Sequence, residues 1–328
     1  MSRRLLAIFA TFAMGILFGV FMSPRKLVVI GTPEGRNEKD TNVGESRDLG
    51  SDRLKGLPDC TIPLNGTLAD LSAIYQPTKF GYVDGVHKYR HVGFQRIYPL
   101  WLEQYRTKKF KMLEIGLDSG RGSLLWKAYF PCGELWGLEY SAGFTDTSGA
   151  NAINTIQGDQ GDPKFLKEEL ISRSGGGFAV IIDDGGHHYE QQKTSYEILF
   201  EHALNPGGVY IIEDIETSYW KEGVSLYGNP ITRGGQSEQG TLVNQFKKVV
   251  DVVNKKFYDN DYVVFGSVDH WIQQLTFVSN AIILLKKDRA DCLYEEAYTW
   301  PHNLAADCPA REQKEIKTHL DAFCRTFQ

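Results

Sequence analysis

The chain has 328 residues, 36 Lys and Arg against 41 Asp and Glu, a net charge of −5 and 42% hydrophobic residues. This balance excludes intrinsic disorder and fibrous rods and is enough for one large core. The acidic excess gives no overall pull toward nucleic acid, which is not expected as a partner.

In chain order, Leu5–Met22 (LLAIFATFAMGILFGVFM) comes first and carries no charge. It reaches the ~17-residue lower limit for a helix that spans a bilayer. The run ends Val20-Phe21-Met22-Ser23-Pro24, a poor signal-cleavage site, so residues 1–30 are expected to be a cytosolic tip and an uncleaved transmembrane signal anchor. Arg3 and Arg4 before it and Arg25 and Lys26 after it leave the orientation open. A mitochondrial membrane and secretion are the alternatives. Residues 31–58 are Gly-rich, charged and poor in large apolar side chains, the composition of a flexible stem. Asn65-Gly66-Thr67 follows as the one glycosylation sequon, with Asn65 as acceptor. The cysteines at 60, 132, 292, 308 and 324 form no C-x-x-C pair, which argues against a zinc or redox motif. Pairing among the last three and buried free thiols are both open.

From Phe110 short apolar runs alternate with amphipathic ones, predicting a mainly parallel sheet covered by helices. Strands are expected at 111–116, 134–139, 154–158, 178–184 and 207–214, then at 262–266 and 275–285. Helices are expected at 122–130, 163–171, 189–204 and 241–256, with Asn205-Pro206-Gly207-Gly208 as a stop and turn. In such sheets ligands bind beyond the carboxyl ends of the strands, so the residues that close each strand matter most.

The first strand closes with Glu114-Ile115-Gly116-Leu117-Asp118-Ser119-Gly120-Arg121-Gly122-Ser123. This glycine-rich turn lets the backbone approach a ligand, and its spacing suits S-adenosylmethionine better than a dinucleotide. Glu114, Gly116, Gly120, Gly122 and Ser123 are the candidates there. Glu139 closes the second strand, placed to accept hydrogen bonds from ribose hydroxyls. Asp159 and Gln160 close the third and could meet an adenine edge, while Asp162-Pro163 also reads as a helix N-cap with a first-turn proline. The fourth strand ends Asp183-Asp184-Gly185-Gly186-His187-His188 and the fifth ends Glu213-Asp214. Neighbouring strands ~5 Å apart would crowd these carboxylates. Their mutual repulsion calls for a hard divalent cation, Mg²⁺ being the natural one. A histidine beside them is the right residue type for a general base.

The segments at 122–131, 158–166, 181–188 (IIDDGGHH), 205–220 (NPGGVYIIEDIETSYW) and 241–257 resemble the metal-dependent sugar O-methyltransferases of the macrocin and mycinamicin type. The likeness covers about residues 71–287. It implies the class I methyltransferase fold, Rossmann-like, with a mainly parallel seven-stranded sheet and helices on both faces. It implies S-adenosylmethionine as methyl donor, Mg²⁺ held by Asp184, Glu213 and Asp214, His187 as base, and Glu139 and Gln160 on the cofactor, where Asp183 is also placed. Tyr82, His87, Tyr89, Arg90, His91, Tyr219 and Trp220 could line the acceptor side, since aromatic faces suit sugar rings.

The expected function is therefore methyl transfer to a hydroxyl of a saccharide or glycoside by a domain at 59–287, followed by a partly helical extension at 288–328. A catechol-like or other diol acceptor and a non-catalytic lumenal binding protein on the same fold are the alternatives, and a homo-oligomer is possible by this reading. Anchor, stem and sequon together resemble the layout of Golgi glycan-modifying enzymes, which places the expected protein in the secretory pathway.

Overall fold

The computed structural model describes residues 54, 57–77, 93–141, 153–225, 230–254 and 268–292. Contacts divide the chain into Met1–Arg47 and Asp48–Gln328, and all described residues lie in the second unit. Leu5–Met22 lies outside them. Among the described residues no helix is long and apolar enough to cross a membrane.

Five Val-, Ile- and Leu-rich runs become β1 (Lys111–Ile115), β2 (Glu134–Glu139), β3 (Asn154–Gln157), β4 (Phe178–Asp183) and β5 (Leu204–Glu213). They pair in parallel. Parallel strands are covered on both faces, which is why they read as unbroken apolar runs rather than as alternation. Every residue of β4 is buried. β6 (Ile272–Val278) and β7 (Ala281–Lys286) complete a seven-stranded sheet of order β3-β2-β1-β4-β5-β7-β6, with β7 antiparallel to both neighbours.

Two strand expectations need correction. The run 275–285 is not one strand but part of the β6–β7 hairpin, because Ser279-Asn280 turns the chain, with Asn280 at φ 60°. Asparagine tolerates that left-handed conformation better than most residues. Asn205–Gly208 is not a turn ahead of β5 but lies within it, as an irregularity opposite Phe178–Val180. The segment 262–266 lies outside the described residues.

The helices are α1 (Leu68–Tyr75), α2 (Pro99–Leu102), α3 (Arg121–Tyr129), α4 (Pro163–Phe165), α5 (Ser172–Ser174), α6 (Tyr189–His202) and α7 (Leu242–Val253). α4 runs into α5 through a π-helical segment, Leu166–Ile171. As expected, Asp162 caps α4, accepting from the backbone N–H groups of Lys164 and Phe165. α6 and α7 pack Tyr196, Leu199 and Phe246 against Ile181, Tyr210 and Ile212 on one face of the sheet. On the other face Leu68, Tyr98 and Trp126 pack against Val180, Ile182 and Ile211. Each fully buried large apolar side chain contributes roughly 1.5–3 kcal/mol. These layers hold the carboxyl ends of β1, β2, β4 and β5 rigidly in one row.

Cys60 and Cys132 form a disulfide across 72 residues, with Cα atoms 5.6 Å apart. It fastens the segment before α1 to the loop that leads into β2. Sequence reading did not foresee this pair. Cys292 is disulfide-bonded as well.

Candidate active site

The turn after β1 is set by backbone conformation. Gly116 (φ 82°) and Gly120 (φ 75°) are left-handed, and a Cβ on Gly116 would run into the carbonyl of Asp184. The ends of β1 and β4 close on each other because residue 116 carries no side chain. Behind the turn, Ser123 Oγ and Trp126 Nε1 donate to the two carboxylate oxygens of Glu114 at 3.2 and 3.0 Å. Gly122 leaves room for that carboxylate, since a Cβ there would stand 3.0 Å from Glu114 Oε1. Glu114, Gly122 and Ser123 thus meet one another and brace the turn from within.

Glu139 joins the ends of β1 and β2. Its Oε2 accepts from the Leu117 N–H and its Oε1 from the Ser141 N–H, both at 2.9 Å. Asp159 accepts from the Gly161 N–H at 2.7 Å. Gln160 is buried; its Nε2 donates to Asp183 Oδ1 at 2.9 Å while its Oε1 accepts from the Gly186 N–H at 2.7 Å. Asp183, fully buried, also accepts from Ser195 Oγ on α6. Burial pushes its carboxyl up to about 6, against the opposing pull of the Ser195, Gln160 and Gly185 hydrogen bonds. This network fixes the loop that follows β4.

That loop carries the next two groups of the site. Asp184, His187 and Asp214 are half-buried and each offers a ligand atom, all within 4.8 Å of one another. His187 Nε2 stands 3.7 Å from Asp214 Oδ2. Both residues hold left-handed backbone, φ 54° and 52°, a conformation that persists only where neighbours enforce it. Here the enforcing bonds are visible: Thr217 Oγ1 donates to the His187 carbonyl at 2.7 Å, and Asn280 Nδ2 donates to Asp214 Oδ1 at 2.8 Å. Asn280 also accepts the Glu216 N–H on its Oδ1 at 3.0 Å. The β6–β7 turn therefore aims a residue at the end of β5. His188, the other histidine, is the N-cap of α6.

Glu213 is not one of the three clustered groups. It is fully buried and accepts the Tyr98 hydroxyl at 2.7 Å. Successive strand residues point to opposite faces, and Glu213 shares the parity of Val209 and Ile211, on the face that holds Tyr98. Burial first, then the charges of Glu213, Asp184 and Asp214, push the Tyr98 hydroxyl well above the usual phenol range. One buried hydroxyl thus feels all three carboxylates. Sequence reading missed both Tyr98 and Asn280; neither belongs to a motif, and each reaches the site from a remote part of the chain. Tyr219 is exposed beside the cluster, whereas Trp220 packs against the core. Tyr82, His87, Tyr89, Arg90 and His91 lie outside the described residues.

A seven-stranded sheet of this order, with a glycine turn closing β1 and carboxylates closing β2, β4 and β5, is a class I methyltransferase fold. No family model matches the chain. Comparison with curated proteins finds sugar O-methyltransferases, the resemblance read from the sequence. Mycinamicin VI 2''-O-methyltransferase of Micromonospora griseorubida is 34% identical over 203 residues, 59% of this chain and 46% of the relative. L-olivosyl-oleandolide 3-O-methyltransferase of Streptomyces antibioticus is 33% identical over 192 residues, 56% of this chain and 45% of the relative. The chain thus spans about half the length of these relatives. Among solved structures, the methyltransferase MycE of the mycinamycin biosynthetic pathway, in complex with Mg and SAH, superposes with a TM-score of 0.53 at 31% identity. That match covers 68% of this chain and 55% of MycE.

These findings correct the expected localisation. The matched relatives are enzymes of Micromonospora and Streptomyces, bacteria without a Golgi, and no helix among the described residues could cross a membrane. The secretory-pathway placement is accordingly withdrawn, and the membrane partner is without support, Leu5–Met22 lying outside the described residues. Asn65 is exposed and its side-chain nitrogen donates to the Ala128 carbonyl at 3.2 Å; the expected glycosylation finds no support in the matched relatives.

Proposed function

We propose that the protein transfers a methyl group from S-adenosylmethionine to a hydroxyl of a saccharide or glycoside, in a reaction that uses Mg²⁺. The observation that carries this reading is the convergence of Asp184, His187 and Asp214 within 4.8 Å at the ends of β4 and β5.

The donor chemistry fits a hard cation: two carboxylates face each other, and a third, Glu213, stands behind Tyr98 close enough for all three to act on one hydroxyl. Asp184 and Asp214 would hold Mg²⁺, with Glu213 as the third carboxylate of the set. Bound there, the metal would lower the proton affinity of an acceptor hydroxyl, while the donor supplies a methyl group already activated on sulfonium. The protein's own work is alignment and proton removal. His187 takes the proton from the attacking hydroxyl, and Thr217 and Asn280 fix the loops that carry His187 and Asp214. Gly116 and Gly120 shape the turn above β1 that would receive the donor, with Glu139 on its ribose side and Asp159 toward its base. Glu114, Gly122, Ser123, Gln160 and Asp183 act on the donor by shaping these turns, and Tyr219 stands on the acceptor side.

The test is to incubate the protein with methyl-labelled S-adenosylmethionine, Mg²⁺ and a panel of glycosides, then identify labelled products. Labelled methyl ethers on sugar carbons are expected. Label confined to catechols, or S-adenosylmethionine failing to bind, would remove this reading.

Asn280 supplies a narrower expectation. Asn280→Gly removes the donor that orients Asp214 while keeping the φ of 60° accessible, so Mg²⁺ affinity should fall about 10–100-fold, the usual cost of losing an outer-shell partner. Mn²⁺ titration followed by electron paramagnetic resonance measures it, and unchanged affinity would show that Asp214 needs no such support.

A further inference from the structure

The base and the metal-binding carboxylates sit on two pieces of chain. Asp184 and His187 lie between β4 and α6, whereas Asp214 follows β5. We propose that Gln192, in the first turn of α6, is a positioning residue that sets these two pieces against each other, an inference that rests on the Mg²⁺-dependent methyl-transfer reading. Gln192 is fully buried, and its Nε2 donates to the Glu213 carbonyl at 2.7 Å. A carbonyl only accepts, so the amide nitrogen is the end that faces it. That carbonyl belongs to the peptide joining Glu213 to Asp214.

Pairing of β4 with β5 ends at Asp183 and Ile212. Past that point the register of the two chain ends depends on side chains. Two of them cross there in opposite directions: Gln192 reaches from α6 to the end of β5, and Thr217, just after β5, donates from Oγ1 to the His187 carbonyl at 2.7 Å. The Gln192 N–H donates to the His188 carbonyl at 3.0 Å, so this tie is anchored one residue from His187. From the opposite face of the sheet the Tyr98 hydroxyl holds the Glu213 side chain at 2.7 Å. Gln192 thus completes a grip on Glu213 from both layers. Mg²⁺ bridging Asp184 and Asp214 demands near-ideal octahedral geometry with ligands at about 2.0–2.1 Å. A small slip of β5 against α6 therefore costs metal affinity and moves His187 out of line with the metal.

Mn²⁺ titration of the SAH-saturated full chain, followed by electron paramagnetic resonance, reads the alignment without turnover. Gln192→Met keeps the length of the side chain and removes the N–H. It is expected to weaken Mn²⁺ binding about 10–100-fold, as losses outside the ligand set do, and to broaden the signal of the bound ion as its coordination becomes irregular. SAH affinity should stay at the wild-type value, and the melting temperature of the metal-free protein should change little, because methionine fills the same buried space. Gln192→His offers a ring N–H at nearly the same reach and should restore Mn²⁺ affinity to within a few-fold of wild type. Wild-type Mn²⁺ affinity in Gln192→Met would overturn the role, as would a joint loss of Mn²⁺ affinity, SAH affinity and melting temperature, the mark of a packing residue. A histidine variant as weak as the methionine one would show that side-chain shape counts and the N–H does not, and would overturn it too. If the wild type binds SAH but no Mn²⁺, the Mg²⁺-dependent reading fails and this inference with it.

Discussion

His187→Asn is expected to lower kcat by about 10²–10⁴-fold, the usual contribution of a positioned general base, with S-adenosylmethionine binding and melting temperature unchanged. Asparagine is the informative replacement because residue 187 holds φ 54°, which asparagine tolerates and alanine does not. The backbone bond from Thr217 to the carbonyl of residue 187 survives the change. Only the imidazole, 3.7 Å from Asp214 in the parent, is lost. A structural role would instead lower donor affinity and stability together. Turnover retained at the wild-type rate would remove His187 as the base.

The second large effect concerns the metal. Asp184→Asn and Asp214→Asn should each weaken Mg²⁺ binding by more than about 100-fold, beyond the cost of an outer-shell loss, and abolish activation by added Mg²⁺. In the metal-free protein the same substitutions should not lower the melting temperature, because each removes one of two like charges that face each other. This opposite sign in the two states separates a ligand from a structural carboxylate. Glu213, the third carboxylate of the set, is fully buried and bonded to Tyr98, so Glu213→Gln should weaken Mg²⁺ binding and also lower the melting temperature of the metal-free protein. Wild-type activity that is indifferent to a chelator would sink the metal assignment.

Much of the scaffold was legible because its signals are local. The apolar runs of β1 to β5 end close to where the composition changes, and Asp162-Pro163 caps α4 by a bond that spans only three residues. The β6–β7 hairpin was misread as one strand because an apolar run, broken only by Ser279-Asn280, leaves the reversal to a single left-handed residue. Asn205–Gly208 misled in the opposite direction, since proline and glycine mark a bulge within a strand as readily as a turn. At the site, Asp184, His187 and Asp214 come within 4.8 Å of one another, and Glu213 lies close by, bonded to Tyr98. Glu213 ends β5 facing Tyr98, and the left-handed backbone of Asp214, φ 52°, turns the chain there, a change that residue spacing does not show.

By itself the sequence determined the order of strands and helices, the glycine turn after β1 and the carboxylates that close β2, β4 and β5, since these depend on neighbours within a few residues. Tertiary structure alone decided which of them meet. Tyr98, Glu213, Asn280 and Asp214 come together only when α2, β5 and the β6–β7 turn converge at one end of the sheet. The Cys60–Cys132 bond was settled in the same way. Such contacts are fixed by packing between distant segments, and the spacing of residues along a chain carries no record of them.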